Sequence, residues 1–247
     1  MYNPYSLEGK TILVTGASSG IGRATAIECS KLGAKVIVTA RNAERLKETL
    51  DALEGEGHQM ICFDLNESDK LDEFVAQLSV IQGLVSNAGT NKMSPVTFIK
   101  EEDLKEVYQV NTFSPILLLR MLLKKKKLEK ESSVVFTSSL SGIGTVGTGN
   151  GVYASSKGAL SMFVKVAALE LANKKIRVNA VCPGMIQTQM IQEGAVSEQL
   201  AEGLADYPLG RYGEPKDVAF AIIYLLSGAS CWVTGTNMVI DGGLTIR

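Results

Sequence analysis

Histidine is almost absent from this chain, because His58 is the only one among 247 residues. A Ser-His-Asp hydrolase needs a histidine as its base, and a zinc enzyme usually needs several, so the sequence disfavours both classes. His58 itself lies in the polar stretch GEGHQ, which is typical of a surface loop. The four cysteines, Cys29, Cys62, Cys182 and Cys231, are scattered and form no C-x-x-C pair. We therefore expect no metal site and no disulfide framework.

Long apolar runs and an excess of basic residues are also missing. No stretch approaches the roughly 18 apolar residues of a membrane span, and the N-terminal MYNPYSLEGK does not resemble a signal peptide. The net charge of −1 argues against a nucleic-acid binder. The single charge run, Lys124 to Lys127, is most simply the solvated end of a helix. We expect a cytoplasmic protein that binds neither membranes nor nucleic acids.

Apolar runs rich in β-branched residues alternate with segments of helical periodicity along the whole chain. The predicted strands cover residues 10–16, 34–40, 59–65, 81–89, 132–139, 176–184 and 237–243. The predicted helices cover residues 21–33, 42–57, 68–78 (with a Ser cap), 101–123, 153–173 and 215–227. Nearly continuous apolar strands in β-α alternation indicate a parallel sheet that is covered by helices on both faces. The sequence thus predicts one α/β domain over residues 1–247, a doubly wound, Rossmann-like parallel sheet of about seven strands.

A glycine-rich turn follows the first strand directly. Gly16, Gly20 and Gly22 are spaced as G-x-x-x-G-x-G, and a helix begins at once. Glycines let the backbone approach a pyrophosphate, and a helix N-terminus favours its negative charge, so this context predicts dinucleotide binding. The chain has no G-x-x-x-x-G-K-[ST], so a P-loop nucleotidase is not supported.

The end of the second predicted strand indicates which dinucleotide is bound. An acidic residue here would bind the 2′-hydroxyl of NAD, but the sequence has Ala40 followed by Arg41. A guanidinium suits the 2′-phosphate of NADP(H) through bidentate contacts. We therefore favour NADP(H) over NAD(H), although Arg41 is also compatible with an ordinary exposed surface arginine.

Tyr153 and Lys157 lie four positions apart in the small-residue stretch GVYASSKGAL. On a helix they would share a face. A nearby ammonium favours the phenolate and lowers the pKa of a tyrosine from about 10. The spacing alone does not distinguish such a pair from an ordinary helix surface.

Taken together, several motifs resemble the short-chain dehydrogenase/reductase family over about residues 8–245. The shared motifs are TGASSGIG at 15–22, NAG at 87–89, Asn111 in a long helix, a serine pair at 138–139, Tyr153-x-x-x-Lys157 and Pro183-Gly184. Within the family the chain looks most like reductases of the 3-oxoacyl-[acyl-carrier-protein] type, whose C-terminal sequence PLGRYGEPKDVAFAIIYLLS also looks similar.

The resemblance implies a catalytic set of four residues. Tyr153 would be the general acid in reduction, and Lys157 would lower its pKa and hydrogen-bond the nicotinamide ribose. Ser139 would polarise the substrate carbonyl. Asn111 would interrupt its helix and hold a water in a proton relay. Hydride transfer between nicotinamide and a carbonyl or secondary alcohol then depends largely on positioning.

The resemblance also implies cofactor contacts at single positions. The residues around the pyrophosphate would be Gly16, Ser18, Gly20, Ile21 and Gly22, and those near the adenine would be Asp64 and Leu65. The residues beneath the adenosine ribose would be Asn87, Ala88 and Gly89. The residues beside the nicotinamide would be Pro183, Gly184, Ile186 and Thr188. Asn87 has an equally simple structural explanation, since it could chiefly tie neighbouring strands together.

The chain departs from the family pattern in three places. Ser86 stands where relatives commonly have a first asparagine, and the segment before GLVSNAG is short. Ser139 precedes Tyr153 by fourteen positions, one more than is usual. We prefer Ser139 to Ser138 or Ser141 because Ser-Leu-Ser-Gly matches the family's S-x-x-G.

Assembly and substrate are predicted less directly. The helices around YQVNTFSPILLLRMLL and GALSMFVKVAALELA are apolar on most of their circumference, which predicts a second buried contact, and relatives are commonly homotetramers. Residues 187–212 are expected to form an amphipathic lid. The substrate could be an acyl-carrier-bound carbonyl, with cations near the entrance drawn from Lys124 to Lys127, Lys130, Lys174 and Lys175. A small alcohol, sugar or steroid, or a non-catalytic dinucleotide sensor, remains open.

Overall fold

The seven strands form a single parallel sheet in the order β3-β2-β1-β4-β5-β6-β7. The computed structural model describes residues 2–188 and 203–246. The strands are β1 (Thr11–Thr15), β2 (Lys35–Ala40), β3 (Gln59–Cys62), β4 (Ile81–Ser86), β5 (Leu128–Thr137), β6 (Arg177–Pro183) and β7 (Asn237–Ile240). The helices in this part of the chain are α1 (Gly20–Lys31), α2 (Ala43–Asp51), α3 (Leu71–Gln77), α4 (Glu101–Tyr108), α5 (Ser114–Lys124), α6 (Gly151–Leu171) and α7 (Pro215–Leu226). The predicted seven-stranded, doubly wound fold is confirmed.

Alternation of side chains along the buried strands produces a core on each face of the sheet. In β5, Val134 and Phe136 pack with α3, α5 and α6, whereas Val135 between them packs with α1 and α7. Because both faces are covered, each strand is apolar at almost every position, which explains the nearly continuous hydrophobic runs of the sequence. The sheet order reverses direction between β1 and β4, and the loops after these two strands therefore meet at the switch point where ligands bind in such sheets.

The predicted element boundaries differ from the observed ones in a few informative places. The second helix ends at Asp51 instead of Gly57, and Gly55 and Gly57 both have positive φ, which a helix does not accommodate. The third strand stops at Cys62. Ser68 begins a short 3-10 turn and does not cap the helix, which starts at Leu71. The strand predicted at 132–139 begins earlier, at Leu128.

The long helix predicted over residues 101–123 is divided into three parts. The helix α4 runs into a π turn at Gln109–Phe113, and α5 continues from Ser114. Such π turns are often found at functional sites. The interruption predicted at Asn111 is present, because Asn111 lies in the middle of this turn and is fully buried.

Two hydrogen bonds hold the His58 side chain in the turn before β3. Its Nδ1 accepts a hydrogen bond from the Val36 amide at 3.1 Å, and its Nε2 lies 2.9 Å from the Glu54 carbonyl oxygen. Both ring nitrogens are therefore used to fix the turn before β3. Among the described residues no group of three or more His, Cys, Asp or Glu side chains could hold a metal ion, and no helix is long and apolar enough to cross a membrane.

Candidate active site

The glycine turn after β1 is packed too tightly for any larger residue. Gly16 and Gly20 have φ values of +64° and +53°, which other residues rarely adopt. A Cβ atom at Gly22 would lie 2.3 Å from the Gly16 carbonyl oxygen. Ser19 at the N-cap of α1 forms no side-chain capping bond, and the first turn has no acidic residue. The helix N-terminus is thus suited to an anion such as a pyrophosphate.

A cleft of about 170 Å³ opens beside this turn and passes over the ends of β2, β3 and β4. Its lining includes seven of the predicted cofactor residues: Gly16, Ser18, Arg41, Asp64, Leu65, Ala88 and Gly89. It is also lined by residues that were not predicted from the sequence: Thr39, Phe63, Asn66, Thr90, Glu106 and Val110. Four of them could have been predicted, because they directly neighbour Asp64, Leu65, Gly89 or Asn111 in the chain. These residues fit an adenosine moiety held across the strand ends.

Asn87 lies behind the cleft and joins three strands. Its backbone amide donates to Thr15 Oγ1 at 3.0 Å, and its side-chain oxygen accepts from Thr137 Oγ1 at 3.1 Å. Its Nδ2 donates to the Gly16 carbonyl oxygen at 3.4 Å. The strand-tying explanation therefore accounts for all three contacts, whereas the direct cofactor contact of Asn87 stays a prediction.

The segment after β6 approaches the glycine turn from the other side. The Thr188 methyl lies 3.1 Å from the position of a Cβ on Gly20, and Gly184 donates its amide to Ile240 at 2.9 Å. Ile186 is only 5% exposed, and its side chain packs in the core of the α1–α7 face. Because its side chain is buried in this core, only the backbone of Ile186 could make the predicted contact with the nicotinamide. Ser18 and Thr188 also line a second, wider cleft of about 680 Å³.

Asn111 fixes the loop that carries Gly89. Its Oδ1 accepts from the Thr90 amide at 2.9 Å, and its Nδ2 donates to the Thr90 carbonyl oxygen at 2.9 Å and to Ser156 Oγ at 3.0 Å. Both amide protons are therefore occupied. The predicted water relay stays a prediction, and the observed contacts show a positioning role for this side chain.

Ser139 is the serine that faces the tyrosine. A side-chain hydrogen bond joins Ser139 to Tyr153. In contrast, Ser138 Oγ donates to the Lys157 carbonyl oxygen at 3.1 Å and accepts from Ser161 Oγ at 2.7 Å, so it is directed into the core. Ser141 Oγ accepts from Asn150 at 3.0 Å. The geometry agrees with the choice of Ser139.

The S-x-x-G motif has a packing explanation. A Cβ atom on Gly142 would lie 2.6 Å from the Lys157 carbonyl carbon, so the turn after β5 presses its backbone directly on α6. The turn spans Leu140–Gly142, and Ser139 Oγ accepts from the Ser141 amide at 3.2 Å at its start. This contact fixes the turn that begins at Ser139 against the helix that carries Tyr153.

Tyr153 and Lys157 lie on one face of α6, as their spacing predicts. Lys157 Nζ lies 5.8 Å from the centroid of the Tyr153 ring and donates to the Thr137 carbonyl oxygen at 2.7 Å. Burial lowers the pKa of Lys157 to about 8. Burial also raises the pKa of Tyr153, and the hydrogen bond from Ser139 opposes this only in part. Desolvation is the largest cause of the Tyr153 shift, and the predicted lowering of its pKa by Lys157 stays a prediction.

The lysines proposed as entrance cations lie at the wrong edge of the sheet. Lys124 to Lys127 join α5 to the start of β5, Lys130 lies near that start, and Lys174 and Lys175 precede β6. Ser139 follows the opposite end of β5, and the seven residues of the neighbouring β6 alone span on the order of 20 Å at the usual rise per residue. Lys125 pairs with Asp72 at 2.6 Å, and Lys175 with Glu131 at 2.9 Å. These lysines thus do not border the site of the subunit that carries them. Of the predicted lid, residues 189–202 lie outside the described residues.

Ser139→Ala is expected to lower kcat about 10- to 100-fold, the range for losing one hydrogen bond to a charged or polarised group. Ser141→Ala, two residues away in the same turn, is the matched control and should retain near-normal turnover. Steady-state kinetics with one carbonyl substrate would compare the two. If the effects were reversed, the assignment of Ser139 would be wrong.

Comparison with known proteins gives a consistent result. A family model described as enoyl-(acyl carrier protein) reductase matches residues 16–245. A 3-oxoacyl-[acyl-carrier-protein] reductase from Thermotoga maritima is 38% identical, over 97% of this chain and 99% of its own length. A tropinone reductase homologue from Arabidopsis thaliana is 34% identical, over 98% and 93% of the two chains.

Solved structures are similar over the whole length. A short-chain type dehydrogenase/reductase from Mycobacterium marinum superposes with a TM-score of 0.89 at 31% identity, covering 99% of this chain and 98% of its own. A protein from Agrobacterium tumefaciens with bound NADP, described as a 2-deoxy-D-gluconate 3-dehydrogenase, also gives 0.89 at 31% identity and covers both chains completely.

Proposed function

This chain belongs to the short-chain dehydrogenase/reductase family of NAD(P)-dependent oxidoreductases, and from that premise we propose that it reduces a ketone with NADPH. The observation that carries the proposal is the hydrogen-bonded pair of Ser139 and Tyr153 beside the buried Lys157. A general acid, an oxygen-binding hydroxyl and a cation are thereby grouped at the carboxyl ends of the strands, next to the glycine turn.

The residues divide the reaction between them. When bound, the reduced nicotinamide supplies a hydride to the carbonyl carbon. Ser139 Oγ donates a hydrogen bond to the carbonyl oxygen, and the phenol proton of Tyr153 passes to the same oxygen and completes the alcohol. The raised pKa of Tyr153 keeps it protonated at neutral pH, as an acid must be. Lys157, still mostly protonated at pH 7, then stabilises the phenolate that remains.

NADPH oxidation against a panel of ketones, 3-oxoacyl thioesters, keto sugars and steroid ketones tests this proposal. Turnover that depends on Tyr153 supports an enzyme. NADPH binding without turnover of any compound would instead favour a non-catalytic sensor on the same fold. The names of the relatives make a 3-oxoacyl thioester, free or carried by an acyl-carrier protein, a candidate substrate; a small alcohol, sugar or steroid remains the alternative.

The reduction rate is expected to fall above about pH 8. The pKa of Lys157 is lowered to about 8, so its ammonium form predominates below that pH and is lost as the pH rises through it. Since the ammonium stabilises the phenolate, kcat/KM should decline by up to about tenfold per pH unit above the inflection. The profile should be measured from pH 6 to 10, with Lys157→Met as control. A wild-type profile that stays level to pH 10 would contradict this role.

We also propose that the protein is a homotetramer. The helix α6 buries Leu160, Val164 and Leu171 against the sheet, yet Met162 and Leu169 on its other side are 61% and 80% exposed. A second apolar side of a helix is typical of a subunit interface.

Light scattering at micromolar concentration should give a mass near four times the 26.4 kDa of the chain. Leu169→Lys should dissociate the assembly, whereas Val80→Lys, at an exposed valine between α3 and β4, should not. A monomeric wild-type protein would refute the proposal.

A cytoplasmic location is proposed as well, on the grounds that all four cysteines are free thiols and that Cys62 and Cys231 are exposed.

A further inference from the structure

Exposed apolar side chains lie on the loops that follow β4, β5 and β6, the loops next to the candidate catalytic residues. Met93 follows β4 and is 67% exposed; Ile143 and Val146 follow β5 and are 38% and 76% exposed; Met185 follows β6 and is 40% exposed. We call these four residues the apolar rim. Single exposed apolar residues are common on any protein, but several on adjoining loops at the carboxyl ends of neighbouring strands are typical of ligand binding.

Backbone contacts bring the rim loops together. The Ser94 amide donates to the Gly149 carbonyl oxygen at 2.8 Å, and a Cβ on Gly149 would lie 3.8 Å from the terminal methyl of Met93. On the other side, a Cβ on Gly184 would lie 3.5 Å from a Leu140 methyl. Gly149 is four residues before Tyr153, and Leu140 directly follows Ser139. The rim therefore borders the residues that would hold the carbonyl.

The same loops carry very little charge. Residues 139–150 and 184–188 contain no Asp, Glu, Lys, Arg or His. The loop between β4 and α4 carries two charges, Lys92 and, directly before α4, Lys100; Lys92 is held between Asp103 at 2.9 Å and Glu106 at 2.5 Å. A substrate carboxylate would therefore meet an ammonium whose charge is already balanced by two carboxylates.

From the apolar rim and its uncharged loops, we infer that the part of the substrate beyond the reacting carbonyl is an uncharged alkyl or acyl chain. The inference rests on the proposed ketone reduction and deepens it, because it selects one class from the panel. A keto sugar acid presents hydroxyls and a carboxylate. The rim would remove water from these groups and would offer no hydrogen bonds in place of those that water made. An alkyl chain gains from the same burial.

A homologous series of 3-oxoacyl N-acetylcysteamine thioesters, from four to ten acyl carbons, tests the inference with NADPH. We expect kcat/KM to rise about three- to fourfold for each of the first few methylenes, which is the factor for burying one CH₂. A keto sugar acid of similar size should react more slowly than every member beyond the shortest. A flat series, or a preference for the keto sugar acid, would overturn the inference.

Val146→Asp provides the site-specific arm of the experiment. It should reduce the gain per methylene, because a carboxylate at the rim disfavours burial of the alkyl chain. Val80→Asp is the matched control: Val80 is 47% exposed and precedes β4 at the opposite edge of the sheet. An unchanged gain in Val146→Asp would also overturn the inference.

The experiments distinguish a failure of the inferred substrate chain from a failure of the proposed ketone reduction. If the enzyme prefers a keto sugar acid and Tyr153→Phe abolishes that turnover, ketone reduction is supported. Only the inference of an uncharged alkyl or acyl chain is then refuted. Absence of NADPH oxidation with every compound would refute the proposed function and the inference with it.

Discussion

Replacing Tyr153 with phenylalanine is expected to lower kcat by a factor of about 10²–10⁴, the usual contribution of a positioned general acid. The substitution removes only the phenolic hydroxyl, which is hydrogen-bonded to Ser139. The ring stays, so its packing on α6 beside Lys157 should persist. NADPH affinity, measured by fluorescence titration, should therefore change little while single-turnover reduction is lost.

Tyr224→Phe is the matched control, because it also removes one phenolic hydroxyl. Tyr224 lies on α7 on the other face of the sheet, and its ring centroid is 6.5 Å from that of Tyr5. Tyr224→Phe should leave kcat unchanged. Near-normal turnover in Tyr153→Phe would refute the assignment of the acid, and a loss of NADPH binding there would instead indicate a structural defect.

The chemistry of this tyrosine shows what the sequence could and could not predict. Spacing of four residues on a helix correctly places Tyr153 and Lys157 on one face. The direction of the pKa shift depends on how deeply both groups are buried, which local spacing does not encode. Here burial raises the pKa of the tyrosine and lowers that of the lysine to about 8. A cationic nicotinamide would add a positive charge that favours the phenolate.

Motif residues were predicted well where backbone packing enforces them. Gly16 and Gly22 tolerate no Cβ, and Gly142 presses on the backbone of Lys157, so each glycine in these motifs has a steric cause. Of the three serines, Ser138 and Ser141 bond to Ser161 and Asn150, whereas the catalytic role of Ser139 stays a prediction. The seven strands were predictable because burial on both faces requires apolar residues throughout.

The sequence predicted poorly at which of the two strand-end edges of the sheet a given loop lies. The lysines before β5 and β6 were predicted at the entrance, yet parallel strands place the loops before them at the edge opposite Ser139. Charge and helix ends alone do not distinguish the two edges; strand direction does. The exposed side chains Met93 and Val146 were not predicted either, because an apolar residue in a loop has no periodic pattern that marks it.

Reversing the cofactor preference is the second large effect that we expect. Arg41 is exposed, lines the cleft beside the glycine turn and forms no ion pair within the described part of the chain. We propose that its guanidinium binds the 2′-phosphate of NADPH. Losing a charge-assisted contact costs about 1.5–3 kcal/mol, or roughly 10- to 150-fold.

The double variant Ala40→Asp with Arg41→Ser should therefore change the ratio of kcat/KM for NADPH to that for NADH by roughly 10³. The new carboxylate repels a 2′-phosphate and accepts a hydrogen bond from a 2′-hydroxyl, so both cofactors are affected in opposite directions. Arg41→Lys is the control: it keeps the charge and loses the bidentate geometry, so an intermediate ratio is expected. Kinetics with both cofactors at one carbonyl concentration would measure all three proteins. A wild-type enzyme that already used NADH better would show that Arg41 does not bind the phosphate, since the exposed guanidinium at the end of β2 is the feature on which the preference rests.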